Sequence, residues 1–309
     1  MTTALADRIE AEATLPPPPE VTALVERLAD PTLDAAWLYY GSTLRTGDLT
    51  GVLDFYRLTR APHRRGLQGL VERLLWPEVS FHEVEAGGRI LRAKVATLPL
   101  AVFRKAAEGR TLDTTIWARF CQPVQRVWAA DPGAVADATL ACAAAVTTAA
   151  RFAAVLGPSQ GLPEAFWLAL FRRTYATEFR METTDRAASL LGADAGRYAS
   201  LLPLAWTAGG VGFREVGTEV SPTRAGLPGW RLPSLAGKPL NLARIAKAAF
   251  TFDGAARYAA WKVARHTGIE LEVTPFRERH PFLAAPGAWW ELRRRQAVAR
   301  RHVADHRID

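Results

Sequence analysis

Cysteine is almost missing from this chain: Cys121 and Cys142 are the only two in 309 residues. They give no disulfide framework and no paired spacing for a structural metal, so a reducing compartment is the natural setting. Histidine offers as little. His63, His82 and His266 stand alone, with no partner pattern for a metal site or a catalytic triad. No Gly-x-Ser-x-Gly surrounds Ser42, which sets hydrolase chemistry aside. No repeat is visible at the ~20–50-residue periods of solenoids. Met1 to Pro19 has no basic start followed by an apolar core and does not read as a secretory signal. Long apolar runs are also wanting. The longest, Ala138 to Leu156, is mostly Ala and Thr and carries Arg151. A spanning helix needs ~20 strongly apolar residues, so a packed Ala-rich helix is expected here, and no membrane crossing.

What remains is an ordered, basic protein. Hydrophobic residues make up 49% and charged residues 23%, enough for one large domain or two ordinary ones with real cores. The net charge of +8 favours an anionic partner: nucleotide, nucleic acid or acidic lipid. Arg293, Arg294, Arg295, Arg300 and Arg301 concentrate that charge just after Trp289 and Trp290.

One stretch organises the rest. Ala35 to Tyr40 has strand composition and ends at Gly41-Ser42; after a polar, turn-rich segment, Gly51 to Tyr56 is strand-like again, with Asp54 embedded among apolar residues. A carboxylate in a buried strand is costly unless a cation meets it. A Gly-Ser turn allows close backbone approach and presents amide donors to an anion. Together they give the plan of a nucleotidyltransferase: a triphosphate cradle beside a magnesium-holding Asp. The other reading is a tight hairpin with Asp54 on a solvated face.

In chain order, residues 3–13 and Val21 to Leu28 read as helices separated by a stiff Pro16–Pro19 spacer. The strand at 35–40 and the Asp54 strand precede a helix over Pro62 to Trp76. A hairpin follows, with strands 79–84 and 90–95 around Gly87-Gly88. Leu98 to Ala107 and Leu112 to Phe120 are expected to be helical, and 123–128 to be a strand. Helices are placed at 133–156, 163–175 and 195–205. Gly209 to Pro239 reads as largely irregular, and Asn241 to Phe252 and Gly254 to Thr267 as a last helical pair. The fold class is α+β: a nucleotidyltransferase-like mixed sheet with flanking helices, then a mostly helical, winged-helix-like domain. The expected division is an N-terminal arm over 1–19, the sheet domain over 20–130, a helical domain over 131–235 and a helical segment with a basic tail over 236–309.

Three separated segments resemble the mitochondrial-type CDP-diacylglycerol synthases, the translocator assembly and maintenance family of phosphatidate cytidylyltransferases. They are Tyr40-Gly41-Ser42 with Leu53-Asp54-Phe55, then Arg119 to Val124 (preceded by Asp113 and Trp117), then Arg173 to Arg180. The order matches, and the matched region spans roughly residues 37–180. Lys94 stands where the family has a Lys-Tyr-Gly strand. The chain carries Gln122 where members usually have Lys, and Glu178 where they have Asp. The resemblance implies CTP and phosphatidate as substrates, CDP-diacylglycerol and pyrophosphate as products, and Mg2+ as cofactor.

Phosphoryl displacement of this kind needs positioned metal and positive charge on the leaving oxygens more than a covalent nucleophile. Asp54 is the first candidate metal ligand and catalytic carboxylate. Position 56 is Tyr, so a second carboxylate must come from elsewhere, and the matching family position assigns it to Glu178; the alternative for Glu178 is an ion pair with Arg180 or Arg173. Gly41 and Ser42 would hold triphosphate oxygens, or Ser42 would cap a helix. Arg45, Lys94, Arg119 and Arg180 are the nucleotide-binding candidates, the arginines suited to bidentate phosphate contact. Asp48 reads as a solvated or turn-capping acid.

Phosphatidate stays in the bilayer, so an anionic membrane surface is an expected partner. The protein is then placed in the cytoplasm, peripherally on the inner membrane. Ala288 to His302 reads either as an interfacial anchor, at ~1 kcal/mol per basic residue, or as a basic solvated helix. Two rival readings stay open: a nucleotidyltransferase with a soluble or protein acceptor, and a non-catalytic binder of acidic lipid or nucleic acid. Nucleic acid is not an expected partner, because no aromatic-basic RNA motif and no helix-turn-helix spacing is visible.

Overall fold

A computed structural model describes residues 3–61, 75–177 and 185–305. Its strands are β1 (Asp34–Tyr40), β2 (Val52–Thr59), β3 (Glu78–Ala86), β4 (Arg89–Pro99) and β5 (Val124–Ala129), in the sheet order β3-β4-β2-β1-β5. β2 and β4 run parallel, and the other neighbours are antiparallel. The protein is therefore α+β with a mixed sheet flanked by helices, followed by a helical C-terminal region.

Strand side chains alternate between faces, and here both faces are covered. Trp37, Tyr39, Leu53, Phe55, Leu91, Ala93 and Val95 pack against Val21, Leu24 and Val25 of α2 (Pro19–Leu28). Leu38, Tyr56, Leu58, Ala96 and Leu98 face the other way and join a larger core. The helices α1 (Thr3–Ala13), α4 (Leu100–Ala107), α5 (Thr115–Phe120), α6 (Pro132–Leu156), α7 (Pro163–Thr177) and α9 (Ala195–Ala208) share it. One apolar cluster thus runs from the sheet into the helices across residue 131. Each large apolar side chain fully buried there is worth about 1.5–3 kcal/mol.

α6 is the axis of this core. Asp131 caps it by accepting from the Ala134 amide at 2.8 Å, and Pro132 sits where a missing N–H costs nothing. Its length and apolarity would suffice to span a bilayer, yet 61% of its most apolar window is buried inside the protein. The N-terminal arm is itself packed. Glu10 of α1 meets Arg126 at 2.6 Å, and Arg197 reaches Glu12 at 2.8 Å.

Two stretches depart from expectation. The polar segment after Gly41 forms a short helix, α3 (Ser42–Thr46), closed by Gly47 at φ 70° with its amide donating to Thr43. Residues 209–239 are more regular than their Gly and Pro content implies. β6 (Phe213–Val216) pairs with β7 (Glu219–Pro222), and α10 (Arg231–Thr251) begins inside the region and continues through Pro239. An interior Pro costs ~3 kcal/mol of helix stability. Tertiary contacts offset it: Trp230 packs at 5.5 Å on Phe152, and Arg244 pairs with Asp113 at 2.9 Å. The short α8 (Asp185–Gly192), between α7 and α9, is a helix not among those expected. Past α6 the described chain is mostly helical, with β6–β7 as its two-stranded sheet. The helix expected over Pro62 to Trp76 falls outside the described residues, apart from Leu75 and Trp76.

After α10 the chain returns to the sheet. Phe81 donates its amide to Asp253 at 2.8 Å, and the Asp253 amide donates to Val79 at 3.3 Å. This contact carries α11 (Ala255–Thr267), α12 (Pro275–Arg279) and α13 (Pro281–Asp305) onto the outside of the molecule.

Candidate active site

The register of the sheet assembles the site. Val124, Tyr40, Asp54, Lys94 and Phe81 are successive partners across all five strands, forming one transverse row on one face. Asp54 and Lys94 lie at its centre, directly opposite each other on parallel strands.

Gly41 ends β1 beside this row, at φ 95°. A Cβ built on it would stand 3.0 Å from Asp54 Oδ2. Glycine is required there twice, for its left-handed backbone and for the space the carboxylate occupies. Gly41 takes the cap position of α3 and Ser42 is its first helical residue, so a capping role for the Ser42 side chain does not arise. Ser42 is exposed.

α5 brings Arg119, which donates from Nη1 to Tyr56 Oη at 3.3 Å. The short helix is held at both ends. Asp113 Oδ1 accepts from the Thr115 amide and hydroxyl at 3.1 and 2.7 Å, while its other oxygen meets the half-buried Arg244. Trp117 stacks on Phe152 with centroids 4.9 Å apart. At its far end, Arg197 donates to the Cys121 carbonyl at 3.0 Å.

Between these elements lies a cavity of about 200 Å³, lined by Tyr40, Gly41, Ser42, Arg45, Asp54 and Lys94 on the sheet side. Ala118, Arg119 and Gln122 of the α5 segment and Phe171, Thr174 and Tyr175 of α7 close it. Six of the sequence-predicted residues therefore share one cavity. Glu178 and Arg180 lie outside the described residues. Gln122, Phe171, Thr174 and Tyr175 were not among the candidates, although three of them fall in or beside the segments that carry the family resemblance.

Among the described lining residues, one carboxylate, Asp54, faces three cations, Arg45, Lys94 and Arg119. The tyrosines add no charge. Burial raises the hydroxyl pKa of Tyr40 well above its ordinary value, opposed by Arg119 and reinforced by Asp54. Burial raises Tyr56 in the same way, again against the pull of Arg119. Tyr258 of α11, whose ring lies 5.5 Å from that of Phe81 at the end of the same row, is raised by burial first and by Asp54 second. The site is built for a polyanion.

Other polar candidates have structural roles. Asp48 accepts from the Thr50 amide and hydroxyl at 2.8 and 2.6 Å, and these bonds lower its pKa. His82 Nε2 shares a hydrogen bond with Ser80 Oγ at 2.8 Å, and burial lowers its pKa. Burial pushes both thiols, Cys121 and Cys142, up to about 12. They are inert core residues. Among the described residues no group of three or more His, Cys, Asp or Glu forms a metal cage. Trp289 and Trp290 are 59% and 61% exposed, with the Arg293 and Arg294 guanidinium groups 5.0 and 5.7 Å from their ring centroids.

Compared with known proteins, the chain matches no protein-family model and no curated protein.

Proposed function

We propose that the protein is a magnesium-dependent nucleotidyltransferase that moves CMP from CTP to phosphatidate, giving CDP-diacylglycerol and pyrophosphate. The observation that carries the reading is the Asp54 carboxylate, packed against the Gly41 backbone in a cavity that also holds Ser42, Arg45, Lys94 and Arg119. The identity of the two substrates rests on the three-segment resemblance.

Magnesium binds through one or two carboxylates together with substrate phosphates and water, not in an all-protein cage. Asp54, in the same cavity as the Ser42 hydroxyl, fits that donor set, with Glu178 the candidate second carboxylate. Once bound, the ion supplies charge to the phosphate oxygens. The chain's own part is positioning. Ser42 and Arg45 hold the triphosphate at the end of β1. Lys94, from the neighbouring strand, and Arg119, from α5, take oxygens of the departing pyrophosphate and balance its growing charge. The neutral hydroxyl of Tyr40 keeps the wall of the cavity from repelling it, and that of Tyr56 accepts from Arg119 behind it. The acceptor, a phosphatidate oxygen, attacks the α-phosphorus from the membrane side. An inner-membrane surface is the proposed partner, met by Trp289, Trp290 and the arginines of α13.

Radiolabelled CTP with phosphatidate vesicles and magnesium tests this. Wild type forms lipid-linked CMP and Asp54→Asn does not; absence of the product from wild type would overturn the reading. CTP turnover that ignores phosphatidate would move the reading to a soluble or protein acceptor. Vesicle co-sedimentation of the Trp289→Ala/Trp290→Ala double variant checks the membrane contact, with weaker binding expected.

A further inference from the structure

Gln122 has no part in the phosphate chemistry above, yet it lines the same cavity. Its surroundings fix it unusually well for a surface-facing amide. The Gln122 Nε2 donates to the Ala118 carbonyl at 3.0 Å, one helical turn back. Its backbone amide donates to Arg119 at 3.1 Å, and Pro123 follows. Next door, the Cys121 carbonyl accepts from Arg197, itself 4% exposed and held by Glu12 at 2.8 Å. The turn at 121–122 is therefore anchored from behind.

The anchoring has a chemical consequence. A carboxamide presents one acceptor and two N–H donors, and it usually reverses these by rotating half a turn. Here rotation would set Oε1 against the Ala118 carbonyl oxygen, two acceptors facing each other. The amide is thus locked with Nε2 toward Ala118, and it has its Oε1 and second N–H left to offer. That acceptor–donor pair complements an amino group next to a ring nitrogen acceptor, as on cytosine. It opposes uracil, which shows a carbonyl next to an N–H. Half-buried Tyr175 lines the cavity beside it, and bases stack on such rings for about 1–3 kcal/mol; Phe171, 1% exposed and packed on Trp167 and Tyr198, backs that wall.

We propose that Gln122, locked by the Ala118 carbonyl, is the base-reading residue of the cavity and selects an amino-bearing base over its oxo counterpart. This rests on the nucleotidyltransferase reading and adds the source of its base preference. Cytosine and uracil differ in this edge and have the same ring size, so they isolate the effect.

The test is equilibrium binding of CTP, UTP and inorganic tripolyphosphate, each with magnesium, to wild type and to Gln122→Met, which keeps the length of the side chain. Wild type is expected to prefer CTP over UTP by about tenfold or more, the size of a bidentate base contact. Gln122→Met is expected to bring that ratio near one while binding tripolyphosphate as wild type does, which also shows that the variant is folded. A ratio unchanged by the substitution overturns the proposal. So does an equal loss for tripolyphosphate, which would put Gln122 on the phosphates. Wild type that binds CTP and UTP alike sinks base reading and leaves nucleotide transfer standing. Wild type that binds neither nucleotide nor tripolyphosphate sinks both.

Discussion

Two cavities open at opposite ends of the central sheet, and the larger one is the less interesting. Near the C-terminal end of β2, a cavity of about 630 Å³ is lined by Arg60, Arg104, Lys105 and Arg110 together with Glu108, Asp131 and Asp137. Its charges answer one another: Arg60 with Asp131 at 2.7 Å, Arg110 with Glu108 at 3.2 Å, and Arg104 with Glu108 at 3.4 Å. The cavity at Asp54 is a third as large, about 200 Å³, and sets one carboxylate among three cations. Four cations against three acids make a nearly balanced surface, whereas three against one make a receptor for anions. Charge imbalance, not volume, marks the site.

Substitutions at the two ends sharpen the contrast, and the largest effect belongs to Asp54. Asp54→Asn is expected to reduce nucleotidyl transfer by on the order of 10³-fold, comparable to loss of a key transition-state contact. Asp137→Asn at the other end should leave transfer unchanged in the same assay. Next in size is the loss of a phosphate-binding cation. Lys94→Met or Arg119→Met should weaken tripolyphosphate binding by ~10–100-fold, the worth of a charged hydrogen bond. Titration calorimetry measures this.

A smaller effect lies behind both cavities, in the pair that holds α1. The Arg126 hydrogen bond is the main cause that lowers the Glu10 pKa below its ordinary 4.5. A depressed carboxylate stabilises the fold above its unfolded pKa, and this is lost as pH falls through the folded value. Glu10→Gln should therefore lower the Tm at pH 7 by about 2–4 °C. The gap from wild type should narrow as pH falls below 4.5 and close only once pH passes through the lowered folded value, where Glu10 is neutral as Gln is; thermal melts across pH would show it. The smallest effect is expected for Arg104→Met, an exposed residue, with stability altered by less than ~0.5 kcal/mol and tripolyphosphate affinity unaltered. A loss of affinity there would break the comparison.

Much of this was legible in the sequence where a single segment carries its own signal. Alternation on both sides of Gly87-Gly88 marks the β3–β4 hairpin, and the Ala-rich run after residue 132 marks α6. Gly41, Ser42 and Asp54 announce themselves because a carboxylate in a strand, or a glycine at a strand's end, is locally anomalous. Lys94 and Arg119 needed the family resemblance, since a cation on a strand or a short helix is commonplace. What the sequence hid depends on contacts between distant segments. Nothing near Pro239 says that Trp230 and Arg244 will hold a helix through it. Phe171 and Tyr175 look like ordinary members of an apolar helix face until α7 crosses the end of β1. The role of Gln122 needs the Ala118 carbonyl one turn earlier, and only the folded geometry shows which oxygen faces its amide.

The return of the chain at Asp253 has one more consequence. β3 is the outer strand of the sheet, and an unpaired outer strand invites any extended segment to add to it. At residues 79–81 that position is already taken by the molecule's own backbone. The C-terminal layer is thus a built-in guard against polymerisation: a chain cut short before Asp253 would bare those amides and carbonyls to its neighbours.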